Sequence, residues 1–315
     1  MVTLITTVIL KMIFPEHSLD ITFLGTGTSQ GVPIIGCSCR VCTSLDPRDQ
    51  RTRTSLLVRT PSHHILIDTT PDLRFQCLRE KISRVDATLF THPHTDHIMG
   101  FDDLRRFCEM KNRAMPIYAA SYTMGKIRDA FQFVFDDPKP SKNYLRIEPH
   151  IIEGSFFLGN TEIVPVPLPH GRMTTLGFIF KQEGVPLLAY FTDCQEVPQE
   201  AITAASGAKI LILDALRDRP HPTHLNFEGA FQVTQHIKAE QTFFLHFCHD
   251  VLHAEKELQL PSGVDLAFDG LKINLSSKST AAAKGFVAPV LEQIVSFPST
   301  TTCGRLDECR VGLDF

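Results

Sequence analysis

The sequence predicts a layered α/β domain, and three observations predict it. Short apolar, strand-like runs alternate with loops and helix-patterned segments along most of the chain. Polar residues with chemical capacity stand directly after four of those runs: His92 after ATLF, Asp193 after LLAYFT, Asp214 after ILIL and His246 after TFFL. Three histidines and an aspartate crowd into residues 92–97, at the end of one such run. A sheet holds the backbone still at strand ends while the connecting loops stay free to vary, so layered α/β folds place their reactive groups there.

In chain order, residues 21–24 form a short β-prone run that ends in Gly25-Thr26-Gly27. A tight turn is expected at those glycines, because no third glycine and no helix follow to make a dinucleotide loop. Residues 55–58 and 65–67 read as paired strands around a turn at Pro61-Ser62. Residues 87–90 form an apolar strand running into Thr91-His92, and 101–110 carry apolar residues at helical spacing. Further strands are expected at 161–166, 176–180, 187–191, 210–213 and 242–245, with a helix at 226–236 and Asn226 near its cap. Residues 136–143 are a Pro/Lys-rich loop, and no internal repeat is visible. Residues 1–19 read as an N-terminal extension: apolar but broken by Lys11, with neither a basic n-region nor a clear cleavage site, and with Met12 as a second candidate start. After Leu275 the composition turns to Ser, Thr and Ala, so 276–315 are expected to be a tail, with a short helix at 287–295.

The totals exclude some classes. The 31 Lys and Arg against 35 Asp and Glu leave a formal charge of −4, which argues against an extended nucleic-acid surface. Hydrophobic residues at 43% and charged residues at 21% suit a protein with a buried core. No apolar run reaches the roughly 18 residues that span a bilayer, so no membrane partner is expected. Nine cysteines, with three of them inside six positions, fit metal binding in a reducing, cytoplasmic setting better than a secreted disulfide framework. A homodimer is left open.

His92-x-His94-x-Asp96-His97 is the strongest signal. A loop leaving a strand can turn all four side chains into one small volume, which a helix cannot. Neutral imidazole with carboxylate suits Zn, Mn or Fe. A second cluster, Cys37-x-Cys39-x-x-Cys42, has the density of a closed zinc or iron–sulfur site. A tetrahedral zinc needs a fourth donor. His249 is the better candidate and Cys248 the competitor. His63, His64, His150, His236 and His253 are read as ordinary histidines. Asp68, Asp102 and Asp214 could orient ligand imidazoles, although solvated or capping roles are favoured for each. Arg51 and Arg53 are expected in a solvated charged turn.

The His-x-His-x-Asp-His run resembles the signature of the metallo-β-lactamase superfamily. The Cys cluster, GTGTSQGVPIIGCSCRVC, LIDTTPDLRFQ and LPSGVDLAFDGL resemble its PhnP-like branch, the phosphodiesterases of the carbon–phosphorus lyase pathway and their relatives. The resemblance covers residues 20–275, which it makes the catalytic domain, and implies a four-layer αββα sandwich. It also implies that His92, His94 and His170 hold one divalent metal, Zn or Mn, and that Asp96, His97 and His246 hold a second. Asp193 would bridge them, and Cys37, Cys39, Cys42 and His249 would bind a structural zinc. Asp96 and His224 are then the residues expected to act in catalysis, His224 by contacting substrate phosphate. One departure is Leu245, where the branch has Thr before the ligand histidine. The activity implied is hydrolysis of small cyclic or nucleotide-like phosphodiesters by a hydroxide shared between two metals, whose pKa the metals lower from about 15.7 toward about 7. Thioester, lactone or lactam hydrolysis uses the same centre, and a non-catalytic metal-binding protein would need a broken ligand set.

Overall fold

The structure is a computed structural model, which describes residues 18–136 and 143–276. Two seven-stranded sheets stack face to face. The first has the order β14-β1-β2-β3-β4-β5-β6, built from β1 (Ser18–Gly25), β2 (Ser55–Arg59), β3 (His64–Ile67), β4 (Ala87–Leu89), β5 (Met115–Ala119), β6 (Ile147–Ile151) and β14 (Lys272–Ser276). The second has the order β13-β12-β11-β10-β9-β8-β7, from β7 (Phe156–Leu158), β8 (Thr161–His170), β9 (Met173–Gln182), β10 (Val185–Phe191), β11 (Ile210–Asp214), β12 (Gln241–Leu245) and β13 (Val264–Leu266). Each sheet carries three antiparallel pairings followed by three parallel ones. The two halves therefore repeat one pairing scheme, although no repeat is visible in the sequence.

Helices cover both outer faces. The first sheet carries α1 (Leu73–Arg79), α2 (Thr95–Ile98), α3 (Arg105–Lys111), α4 (Ser121–Ala130) and α5 (Gln132–Phe135). The second sheet carries α6 (Gln199–Ala205) and α7 (Phe227–Ile237), and α8 (His253–Glu257) follows β12. Three apolar layers result. Ile21, Leu56, Ile65 and Leu89 meet Phe178, Leu188, Ile210 and Phe243 between the sheets. Leu57, Leu66 and Ile117 pack outward under Leu73, Phe107 and Ile127. Leu211, Leu213 and Phe244 pack under Ala201, Phe227 and Val233. Strand β11 shows why its sequence is an unbroken apolar run. Ile210 and Ile212 face the inter-sheet core while Leu211 and Leu213 face the helices, so both faces are buried.

Some elements run past their sequence bounds. Strand β8 continues to His170 through Pro165, Pro167 and Pro169, where prolines suggested an end at 166. The three prolines alternate, so their missing N–H groups face one edge. On that side β7 pairs only with residues 161–163, which leaves no ladder to break. Gly25-Thr26-Gly27 is not a tight turn. Gly27 bridges both Arg53 and Phe247, and a Cβ on Gly25 would lie 1.9 Å from the Arg53 carbonyl oxygen, so close backbone approach requires glycine there. Strand β1 begins at Ser18 and β14 ends at Ser276. The rest of the N-terminal extension, the rest of the tail and the helix expected at 287–295 lie outside the described residues. Among the described residues no helix is long and apolar enough to cross a membrane.

Candidate metal centre

Sheet geometry gathers the reactive residues. His92 lies just after β4, Asp68 just after β3, Asp193 after β10, Asp214 at the end of β11 and His246 after β12. Within each sheet these strands are parallel to one another, β3 with β4 and β10 with β11 and β12, so their C-terminal ends lie along one rim of each sheet. Asp68, Asp193 and His246 take left-handed backbone angles, with φ of 62°, 52° and 67°. Such angles cost roughly 1–2 kcal/mol for a residue with a Cβ. They turn each side chain out of its strand path and into a common space.

Three donor groups have their ligand atoms within 4.8 Å of one another: His92, His94, His170 and Asp193; Asp96, His97 and Asp193; and Asp193, His224 and His246. Asp193 belongs to all three. The structure thus brings together His92, His94, Asp96, His97, His170, Asp193, His224 and His246.

Hydrogen bonds decide which nitrogen of each ring faces inward. Asp68 is fully buried and accepts from the Thr91 backbone N–H and hydroxyl, both at 2.8 Å. With its hydroxyl proton so committed, Thr91 Oγ1 accepts from His92 Nδ1–H at 2.9 Å. Asp68 also accepts from His97 Nδ1–H at 2.7 Å. His170 Nδ1–H donates to the Thr223 carbonyl oxygen at 2.8 Å. In these three rings Nε2 is left with a bare lone pair. His92 Nε2 lies 2.9 Å from His94 Nδ1. His97 Nε2 is buried without a hydrogen-bond partner, 3.2 Å from Asp193 and 3.3 Å from Asp96.

Electrostatics ask for cations. Burial drives the His92, His170 and His246 rings toward the neutral form. His97 is the exception: burial opposes its charge, but Asp193, Asp96 and Asp68 outweigh it and hold its pKa well above the ordinary range. Without a cation the three carboxylates can be balanced only by placing a proton on His97 Nε2, the atom its other hydrogen bond leaves for a ligand. Buried charges are paired or coordinate metals, and an ion in this space takes that proton's place. The donor set fits divalent ions of the Zn or Mn type.

The rim opens into a cavity of about 390 Å³ lined by His94, Asp96, His170, Asp193, His224 and His246 together with Ser29, Tyr122, Arg172, Met173 and Thr223. Residues 63–247, more than half of the chain, match the Beta-lactamase superfamily domain. The chain belongs to the metallo-β-lactamase superfamily. The two mixed sheets flanked by helices are the metallo-β-lactamase fold. A solved diphosphatase of the PhnP family is similar at 38% identity and a TM-score of 0.75, over 82% of this chain and 98% of that one. Zn2+-bound PqqB from Methylobacterium extorquens has a TM-score of 0.67 over 81% of this chain and all of that one, and at 18% identity it speaks for the fold alone. A curated octanoyltransferase from Porphyromonas gingivalis is 36% identical over 259 residues, 81% of this chain. The chain spans about half of that relative, 51%, so the relative's name assigns no activity to the matched half.

This superfamily member keeps His224 on the cavity wall beside its donor cluster. Its Nδ1 lies 2.7 Å from Asp214, its ring stacks on His246 at 4.8 Å between centroids, and its side chain is mostly buried. Burial disfavours a charged ring, but the Asp214 carboxylate and its hydrogen bond, with Asp193 behind, raise the pKa to about 9. His221 is a nearer-surface neighbour whose own contact is Thr223.

Cys37, Cys39, Cys42 and His249 form a fourth donor group, with thiol sulfurs 3.3, 3.5 and 3.8 Å from His249 Nδ1. A tetrahedral zinc with ordinary bond lengths separates such atoms by about 3.6 Å. Cys248 stands outside the group, accepting from the Asp250 N–H. The backbone N–H of Cys42 leads the effects that lower the Cys39 thiol to about 6, while burial raises Cys42 to about 11.

Several sequence readings need correction. Asp68 and Asp214 are neither solvated nor capping: each is completely buried and holds a ring of the centre. Asp102 is half-buried, pairs with Arg105 and does not line the cavity. Arg51 is not in a solvated turn. It is buried against Asp49 at 2.7 Å and donates to the carbonyls of Cys248 and Val251. Arg53 pairs with Asp72. The hydroxyl that Leu245 cannot supply comes from Thr54, whose Oγ1 lies 3.0 Å from His246 Nδ1. Thr54 and Thr91 were missed. Thr91 stands next to His92 in sequence and could have been found, whereas Thr54 is 192 residues from its partner.

Proposed function

We propose that the chain is a metal-dependent phosphodiesterase acting on small cyclic or nucleotide-like phosphodiesters; its PhnP-family relative is named a diphosphatase, and the same attack on phosphorus cleaves a phosphoanhydride. His92, His94 and His170 would hold one divalent ion, Asp96, His97 and His246 the second, with Asp193 between them; Zn and Mn both suit these donors. The membership of Asp193 in all three donor groups supports its place between the ions, and His246 reaches the second ion's space through its own group with Asp193. A structural zinc would sit among Cys37, Cys39, Cys42 and His249. When bound, the paired ions would lower the pKa of a water and offset negative charge growing on the substrate.

The chain's own residues do the rest. Asp68 and Thr91 keep the His97 and His92 rings in one tautomer. Asp96 turns its carboxylate to the same space, where it can take a proton from the attacking water. His224 carries the reading: Asp214 fixes Nδ1–H, so Nε2–H is free to donate to a phosphoryl or leaving oxygen. His224→Ala is expected to lower turnover of bis(p-nitrophenyl) phosphate by about 10²–10⁴ with metal content intact. Unchanged turnover, or faster cleavage of thioesters and lactones than of phosphodiesters in a parallel panel, would point to acyl hydrolysis instead.

A further inference from the structure

The cavity contains one guanidinium, and nothing in the metal centre accounts for it. Arg172 sits in the two-residue turn Gly171-Arg172 that joins β8 to β9 beyond the His170–Met173 pair. The turn is built to hold its place. Gly171 has φ of 61°, its N–H donates to Gln195 Oε1 at 2.8 Å, and a Cβ there would come within 2.9 Å of Thr223. Thr223 in turn holds His170. Arg172 is exposed, and the carboxylates of the cavity, Asp96 and Asp193, are engaged with imidazoles. From the other sheet's side Tyr122, in the first turn of α4, lines the same cavity with 60% of its surface exposed. A large aromatic face and a guanidinium with no ion-pair partner among the described residues thus share one small-molecule-sized cavity with the donor cluster.

We propose that Arg172 and Tyr122 form the specificity subsite, with Arg172 taking a second, non-reacting phosphoryl group and Tyr122 stacking on a planar base. This rests on the phosphodiesterase reading and extends its attack on phosphorus to the phosphoanhydride of a nucleotide-linked diphosphate. Hydrolysis adds one water across the P–O–P bridge and yields two phosphate monoesters, the bridging oxygen leaving with a proton from the His224 side. Guanidinium pairs with phosphate through two parallel N–H···O bonds, which Lys cannot copy. A planar base finds on Tyr122 the stacking partner that a bare cyclic phosphate would not use.

The test compares kcat/KM for ADP-ribose with that for bis(p-nitrophenyl) phosphate, in the full chain loaded with metal. In Arg172→Ala the ratio should fall about tenfold to a hundredfold, as loss of charged hydrogen bonds requires, and Arg172→Lys should recover part of it. The fall should lie mainly in KM. Because the chain has no Trp, its tyrosine emission is directly readable, and ADP titration should quench it in the wild type but much less in Tyr122→Leu. An unchanged ratio in Arg172→Ala, or full quenching in Tyr122→Leu, overturns the subsite while the phosphodiesterase reading stands. Turnover of neither phosphorus compound by the metallated wild type overturns both.

Discussion

Asp49→Ala tests how the two donor clusters are held together. Asp49 and Arg51 are an ion pair with side chains 1% and 0% exposed. Arg51 reaches Cys248 and Val251, and Asp49 accepts from the His253 N–H at 2.9 Å and the Ser44 hydroxyl at 2.7 Å. The pair therefore clamps the segment that carries both His246 and His249 against the loop that carries the thiols. Removing Asp49 leaves a buried guanidinium uncompensated, which costs about 3–5 kcal/mol. For a domain of this size each kcal/mol moves Tm by about 2–4 °C, so a fall of about 6–20 °C is expected. Urea unfolding and thermal unfolding of the zinc-loaded protein, each followed by circular dichroism with zinc release measured alongside, read the two quantities. Asp49→Ala/Arg51→Met should regain much of the loss, since an apolar pair carries no stranded charge. A loss below about 1 kcal/mol, or a double variant no better than the single one, would refute the clamp.

Two further outcomes follow from the ring-holding carboxylates. Asp68→Asn keeps a side chain that tolerates the left-handed backbone, yet turns an N–H2 toward His97 Nδ1 and Thr91 Oγ1. His97 must then accept at Nδ1 and carry its proton on Nε2, so chelator competition should show catalytic-metal affinity lower by about 10–100-fold; unchanged affinity contradicts the tautomer assignment. Asp214→Asn can keep the hydrogen bonds from His224 and the Cys194 N–H while removing the charge. A His224 ring with a pKa of about 9 is about nine-tenths charged at pH 8, against about 3% at the ordinary 6.5. Activity that needs the charged ring is present below the pKa and lost above it. The alkaline limb of kcat/KM should therefore move down from near 9, with a loss of about thirtyfold at pH 8 that shrinks toward pH 6. A limb that stays in place assigns it to another group.

Much of the centre was legible because its strongest part is local. Residues 92–97 place four donors on one strand-to-helix connection, and the Cys cluster is likewise contiguous. The apolar runs ending in Asp193 and His246 were legible too, since a strand buried on both faces must be continuously apolar. Amphipathic elements such as α1, α4 and β6 carried weaker periodicity and were not found. The proline run in β8 misled, because whether a missing N–H matters depends on which edge is paired, and local sequence does not say.

The amino-acid sequence by itself determined the donor types, their order and the strand ends that carry them, since these follow from side-chain chemistry and period-two burial. Only the tertiary structure decided which nitrogen each ring presents, that Asp68 and Asp214 hold rings in place, and that Thr54 replaces the hydroxyl missing at Leu245. It also decided that Arg51 is buried and Arg172 faces the cavity. Proton placement, burial and charge balance are properties of neighbours, and these neighbours come from separate strands whose meeting is set by sheet pairing.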